Sequence, residues 1–169
     1  MDQPEHVKTV YAHFGLAVYL AQVLEHGIVN ALVVSKHIPN KLGSYSSQQE
    51  WEAAIDGFMD GQFSTKTLGP LIGGLKTAIE VPPDFEAMLG DALRRRNWLV
   101  HHYFRERATE LMTSSGRGKM IDELMAAQQL LSFTDQALDQ VIRPIRERYG
   151  ISDEAVQAVL ADLVASHSE

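Results

Sequence analysis

Arg96, Asn97, His101, His102 and Tyr103 fall within one short run, Arg96-Asn97-Trp98-Leu99-Val100-His101-His102-Tyr103. On a helix, Asn97 and His101 are one turn apart and share a face. Arg96 and Tyr103, seven positions apart, share the neighbouring face. The set is a fixed cation, a titratable imidazole, an amide and a phenol. Those groups suit cleavage of an RNA phosphodiester without a metal. The 2′-hydroxyl needs a base, the departing 5′-oxygen needs an acid, and the transition state needs a cation. A histidine titrates near neutral pH and serves as acid or base. An arginine stays charged and grips a phosphate with two donors. Asn97 is placed to hold the imidazole tautomer or a phosphate oxygen. One histidine does not readily fill both proton-transfer roles, so a two-fold dimer that doubles the run makes the most chemical sense. Arg95 with His101, and Arg96 with His102, satisfy nearly the same spacing.

The surrounding charge agrees in part. The chain of 169 residues has a net charge of −7, unlike a basic nucleic-acid binder. Yet Arg94, Arg95, Arg96, Arg105 and Arg107 stand against the single Glu106, a local basic footprint. Arg95, His102, Tyr103 and Arg105 are therefore expected to bind, alongside a catalytic Arg96, Asn97 and His101. Trp98, Leu99 and Val100 read as packing residues.

The run resembles the Arg-x4-6-His motif of the HEPN superfamily. Arg96, His101 and Tyr103 also match its longer form, Arg-x4-His-x-Tyr. The resemblance covers about residues 96–104. It implies a small helical domain acting as a homodimer, and a metal-independent endoribonuclease of the toxin or defence type. It also implies a nucleotidyltransferase-type antitoxin that modifies the tyrosine, here Tyr103. The alternative is a non-catalytic helical protein whose Arg/His helix binds RNA, a nucleotide or a partner.

Other chemistry is thinner. There is no cysteine, which excludes disulfides, zinc fingers and thiol catalysis. His102 and Glu106 are one turn apart, but no matching second pair completes a metal site, so neither metal nor cofactor is expected. Glu25, His26 and Asn30 interrupt an apolar helix and read as satisfied polar positions at a helix crossing. Gly116-Arg117-Gly118 lacks the P-loop lysine pattern and reads as a flexible turn. The start of the chain lacks a signal-peptide pattern. Its most apolar stretch, Phe14 to Leu24, is short of the roughly 20 residues that cross a bilayer. The expectation is a cytoplasmic protein with no membrane span.

The scaffold that must position these groups reads as all-α. Apolar content of 45% and charge of 22% suit a globular chain, and 169 residues suit one domain, 1–169. Sustained alternation is absent, and apolar residues recur at three- and four-residue steps. The first helix is expected from Pro4 to His37, buried along Val7, Val10, Tyr11, Phe14, Ala17 and Leu24, and stopped by Pro39. Ser47-Gln48-Gln49-Glu50 is a capping box that opens a helix ending near Gly61. Ser64 is expected to cap a third helix to Glu80, the weakest of the set because of Gly69-Pro70 and Gly73-Gly74. Pro82-Pro83 is a firm break. Asp84 then caps a long helix through Thr113. Ser114 to Gly118 is expected as a loop, and Lys119 to Tyr149 as a helix kinked at Pro144. Gly150 ends it, and Ser152 caps a last helix carrying Val156, Val159, Leu160 and Leu163. The expected architecture is an up-and-down bundle of five to six helices.

Overall fold

The computed structural model describes residues 3–41 and 43–166. Met1, Asp2 and Leu42, and the side chains of Leu160 and Leu163 expected on the last helix, lie outside the described residues. The fold is all-α, and no strand occurs among the described residues.

Helix α1 spans Gln3–Leu32 and continues through a π-helical turn, Val33–His37, into the short α2, Ile38–Lys41. Val10, Ala17, Ala21, Leu24 and Ile28 along it are buried, as their spacing predicts. Tyr11 is not, being 52% exposed. Pro39 falls inside α2, so the helix ends just beyond it rather than at it. The window of highest hydropathy in this helix is long and apolar enough to cross a membrane by length and composition; half of it is buried within the protein. Its main neighbour is α8, Ser114–Glu147. Gln128 on α8 reaches across to donate to the His13 carbonyl at 2.8 Å.

Helix α3, Gln48–Thr65, opens as its capping signal predicts: the Ser47 hydroxyl accepts from the Glu50 amide at 3.2 Å. Glu50 returns to the amide and hydroxyl of Ser46 instead of Ser47, at 3.0 and 2.8 Å. Those bonds hold its carboxyl below the ordinary glutamate range. The helix runs through Gly61 and takes in Ser64, so neither ends or starts a helix. A glycine stop needs left-handed backbone, and among the described residues only Gly43 and Gly150 adopt positive φ. Helix α4, Leu68–Ala78, follows with Pro70 in its first turn, where a missing N–H costs nothing. Leu68, Leu71 and Leu75 join the core.

Helix α5, Pro83–His101, begins with proline at its first position, not with Asp84 as cap. Proline there is pre-set in φ, and Asp84 in the first turn still faces the positive end of the helix dipole. The long helix expected to Thr113 is broken. His102 leaves helical angles at φ −130° and ψ −26°, and two short turns follow, α6 at Tyr103–Glu106 and α7 at Ala108–Leu111. The described residues thus form more helical pieces than the five or six expected.

Residues 114–118 are helix, not loop. Thr113 caps α8, its hydroxyl accepting from the Gly116 amide at 3.0 Å. Gly116 is required by a close approach: a Cβ there would lie 2.2 Å from the Glu110 carbonyl oxygen. The buried Arg117 ties down the same turn by donating to the Leu111 carbonyl at 2.9 Å. Helix α8 passes through Pro144 to Glu147, and Gly150 turns the chain at φ +74°. Ser152 caps α9, Asp153–Ser166, its hydroxyl oxygen accepting from the Ala155 amide at 3.3 Å. Val159 on α9 is exposed, against expectation.

The main core joins α1, α4, α5 and α8 around Leu24, Leu75, Leu89, Leu99, Leu124 and Leu131. A smaller cluster of Val33, Val34 and Ile38 packs on α3.

Candidate functional site

The last two turns of α5 and the break after it carry the Arg/His run. Leu99 is buried at the centre of the helix face and anchors it to the core. Val100, expected to pack, is exposed.

Tyr103 is the other anchor. Only 1% of it is exposed, and its hydroxyl donates to the Met120 carbonyl of α8 at 3.0 Å. Phe14 stacks on it, and the edges of Trp98 and Phe104 meet it. Burial, with Glu123 nearby, pushes its phenol well above the ordinary tyrosine value. In this conformation the phenol meets neither a ligand nor a modifying enzyme. Tyr103 serves in this conformation as a core anchor, since an aromatic ring of this size gains from burial.

Arg96 is half-buried. Its Nε lies 3.2 Å from Glu25 Oε1 on α1, and its Nη1 lies 3.4 Å from Asn97 Oδ1. The Glu25 oxygen is buried and has no properly directed hydrogen bond, so the contact is an ion pair more than a bond. Asn97 is exposed and turned toward Arg96 rather than toward the imidazole.

His101 is exposed at the C-terminal end of α5 and makes no hydrogen bond among the described residues. Its ring centre is 6.2 Å from that of His102. His102 is exposed too, with Nδ1 3.0 Å from Arg105 Nη2. The guanidinium is always a donor, so Nδ1 is the acceptor in this contact. Glu106 does not join His102 as a ligand pair; it accepts from the Trp98 indole N–H at 2.8 Å. No group of three metal-ligating side chains occurs among the described residues.

Trp98 is the residue the sequence undervalues. It is half-buried, and the guanidinium carbons of Arg95 and Arg107 lie over its ring at 5.1 and 5.2 Å. Arg107 is itself fixed by two bonds of 2.8 Å to Glu123 on α8. Beside them, Asp91, Arg94, Arg95, Trp98 and Leu130 line a shallow trough. Arg94 pairs with Asp91 but stays largely exposed. The arrangement offers a basic rim, an aromatic wall and, further along the same helix, an unengaged imidazole. Such a surface can hold an anion and stack a planar base. Helical spacing could have flagged Trp98 between Arg94 and Arg95; the ion pairs of Arg96 and Arg107 are long-range and leave no local signal.

The chain matches no family model, no curated protein and no solved structure.

Proposed function

We propose that the protein is a metal-independent endoribonuclease of the HEPN type, an up-and-down helical bundle that acts as a cytoplasmic homodimer. The observation that carries the reading is His101: an exposed imidazole with no hydrogen bond, at the end of the helix that bears Arg94, Arg95 and Arg96. His101 of one copy takes the proton of the RNA 2′-hydroxyl. The 2′-oxygen bonds to phosphorus, the bond from phosphorus to the 5′-oxygen breaks, and His101 of the second copy protonates the leaving oxygen. Arg95 and Arg105 neutralise the phosphate, and Trp98 supplies a stacking surface for a neighbouring base. Arg96 and Asn97 assist once the guanidinium is drawn away from Glu25. A nucleotidyltransferase-type antitoxin remains the partner this reading names, and it reaches Tyr103 only if the Tyr103–Met120 contact opens.

The test is RNA cleavage in EDTA by the wild-type protein and by His101→Ala, with circular dichroism to check the fold. The reading predicts cleavage that the substitution abolishes. A second reading, RNA or nucleotide binding without catalysis, is favoured by one specific observation: Arg96, the expected catalytic cation, is held by Glu25. It predicts binding by both proteins and cleavage by neither.

A further inference from the structure

Away from the Arg/His run, the π-helical turn Val33–His37, α3, α8 and the start of α9 enclose a cavity of about 400 Å³. Its walls are apolar: Val33, Val34, Ile55, Met59, Leu138 and Ile142. The volume falls in the range of small-molecule sites, and an apolar wall with a few convergent polar groups is their usual composition. π-turns occur often at functional sites, and this one supplies two of the lining valines.

The polar groups in the cavity are not equivalent. Asp139 has its cations: Arg146 at 3.0 Å and Arg143 at 2.9 Å. Arg146 also pairs with Asp153. Asp135, one turn before Asp139, has none. It is half-buried and makes no hydrogen bond or ion pair among the described residues. It reaches its place because Gly27 on α1 has no side chain; a Cβ on Gly27 would lie 2.8 Å from Asp135 Oδ1. Burial and the neighbouring Asp139 both hold the Asp135 carboxyl above its ordinary range. A second, more open depression lined by Tyr19, Gln22 and His26 shares Gly27, Asn30 and Asp135 with the cavity. Asp135 therefore stands where the two meet, and Asn30 lines both with it.

We infer that this cavity binds a small organic cation, an ammonium whose charge meets Asp135 and whose apolar body fills the space beneath the π-turn. A half-buried carboxylate without a partner costs stability, and a ligand cation removes that cost. An anion would meet Asp135 and Asp139 together, while both terminal nitrogens of Arg146 already pair with Asp139 and Asp153 and only its Nε is without a hydrogen-bond partner. A neutral apolar ligand would bury Asp135 further and leave it unpaired. The cavity shares no lining residue with the trough at Trp98, so its occupancy does not depend on the Arg/His run.

The experiment is titration calorimetry on the full chain with three probes, 2-phenylethylammonium, tryptammonium and benzyltrimethylammonium. Phenylpropionate and 2-phenylethanol are the anionic and neutral counterparts. The inference predicts saturable binding of at least one cation, weakened at least about tenfold by Asp135→Asn, and no binding of phenylpropionate. Gly27→Ala, which displaces the carboxylate, weakens the same probe. Thermal melts of both variants establish that they are folded. Failure of all three cations to bind the wild-type chain overturns the inference. So does equal binding to folded Asp135→Asn, or phenylpropionate binding as well as the cations.

Discussion

Arg96 on α5 is paired with Glu25 on α1, Nε to Oε1 at 3.2 Å, with about four-fifths of each side chain covered. The pair joins the helix that carries the Arg/His run to the long helix of the core. It also places the cation of the proposed site under the control of a carboxylate more than seventy positions away in the chain. Removing one partner leaves the other charge half-buried and unpaired. Glu25→Gln is expected to cost about 1–3 kcal/mol, read as a lower midpoint in urea. The double variant Glu25→Gln/Arg96→Gln should lose less than the sum of the single losses. Additive losses would show that the two groups do not interact. In the single variant Glu25→Gln, the freed Arg96 should tighten RNA binding.

Tyr103 is the clearest pH prediction among the groups around the site. Its phenol is held above the ordinary tyrosine value of 10.0. The folded protein keeps this proton while the unfolded chain gives it up, so stability falls as pH rises past about 10. The difference in stability between wild type and Tyr103→Phe should therefore shrink above that pH. Below it, the substitution removes the bond to the Met120 carbonyl and costs about 1 kcal/mol. Denaturant melts of both proteins at pH 8 and above pH 10 measure this. A difference that does not change with pH would contradict the burial of the phenol.

Gly116 tests the start of α8. A methyl group there meets the Glu110 backbone, not a movable side chain. Gly116→Ala is expected to destabilise by at least about 2 kcal/mol, even though alanine is the better helix former. Gly118, with nothing near its absent Cβ, should accept alanine with no loss or a small gain. Thermal melts of the two variants give opposite signs if the α7–α8 corner is packed as described.

Much of this was legible in the residues. The 3.6-residue stripe of α1, the Ser47 cap, the Pro82-Pro83 break and the Gly150 stop are local signals, and each produces its element. The rest depends on contacts distant in sequence. No glycine or proline marks the break at His102. Gly116 reads as a turn residue, whereas its role is to let α8 press on Glu110. Tyr103 reads as a binding residue beside His101 because helical spacing cannot tell which face the core will claim. His101 and Asn97 are exposed as the chemistry asks, but the pairing of Arg96 with Glu25 has no local trace.

Asp135 gives a second pH prediction. Its carboxyl is held above the ordinary aspartate value of 3.8 by burial first and Asp139 second. The folded state then holds a proton that the unfolded chain has lost, so this group lowers stability as pH rises through its folded value. Asp135→Asn should stabilise the ligand-free protein at neutral pH, and the gain should disappear as pH falls to about 3.8. A substitution that destabilises at neutral pH would show that the carboxylate has a partner after all.

The account rests most on His101. The most direct measurement follows a short RNA and the same strand carrying a single 2′-deoxy linkage, each incubated in EDTA with wild type and with His101→Ala. The account predicts cleavage of the RNA by the wild type to 2′,3′-cyclic phosphate and 5′-hydroxyl ends. It also predicts protection at the deoxy linkage and loss of cleavage in the folded variant. Cleavage that survives His101→Ala, proceeds at the deoxy linkage, or never appears with the wild type would contradict it.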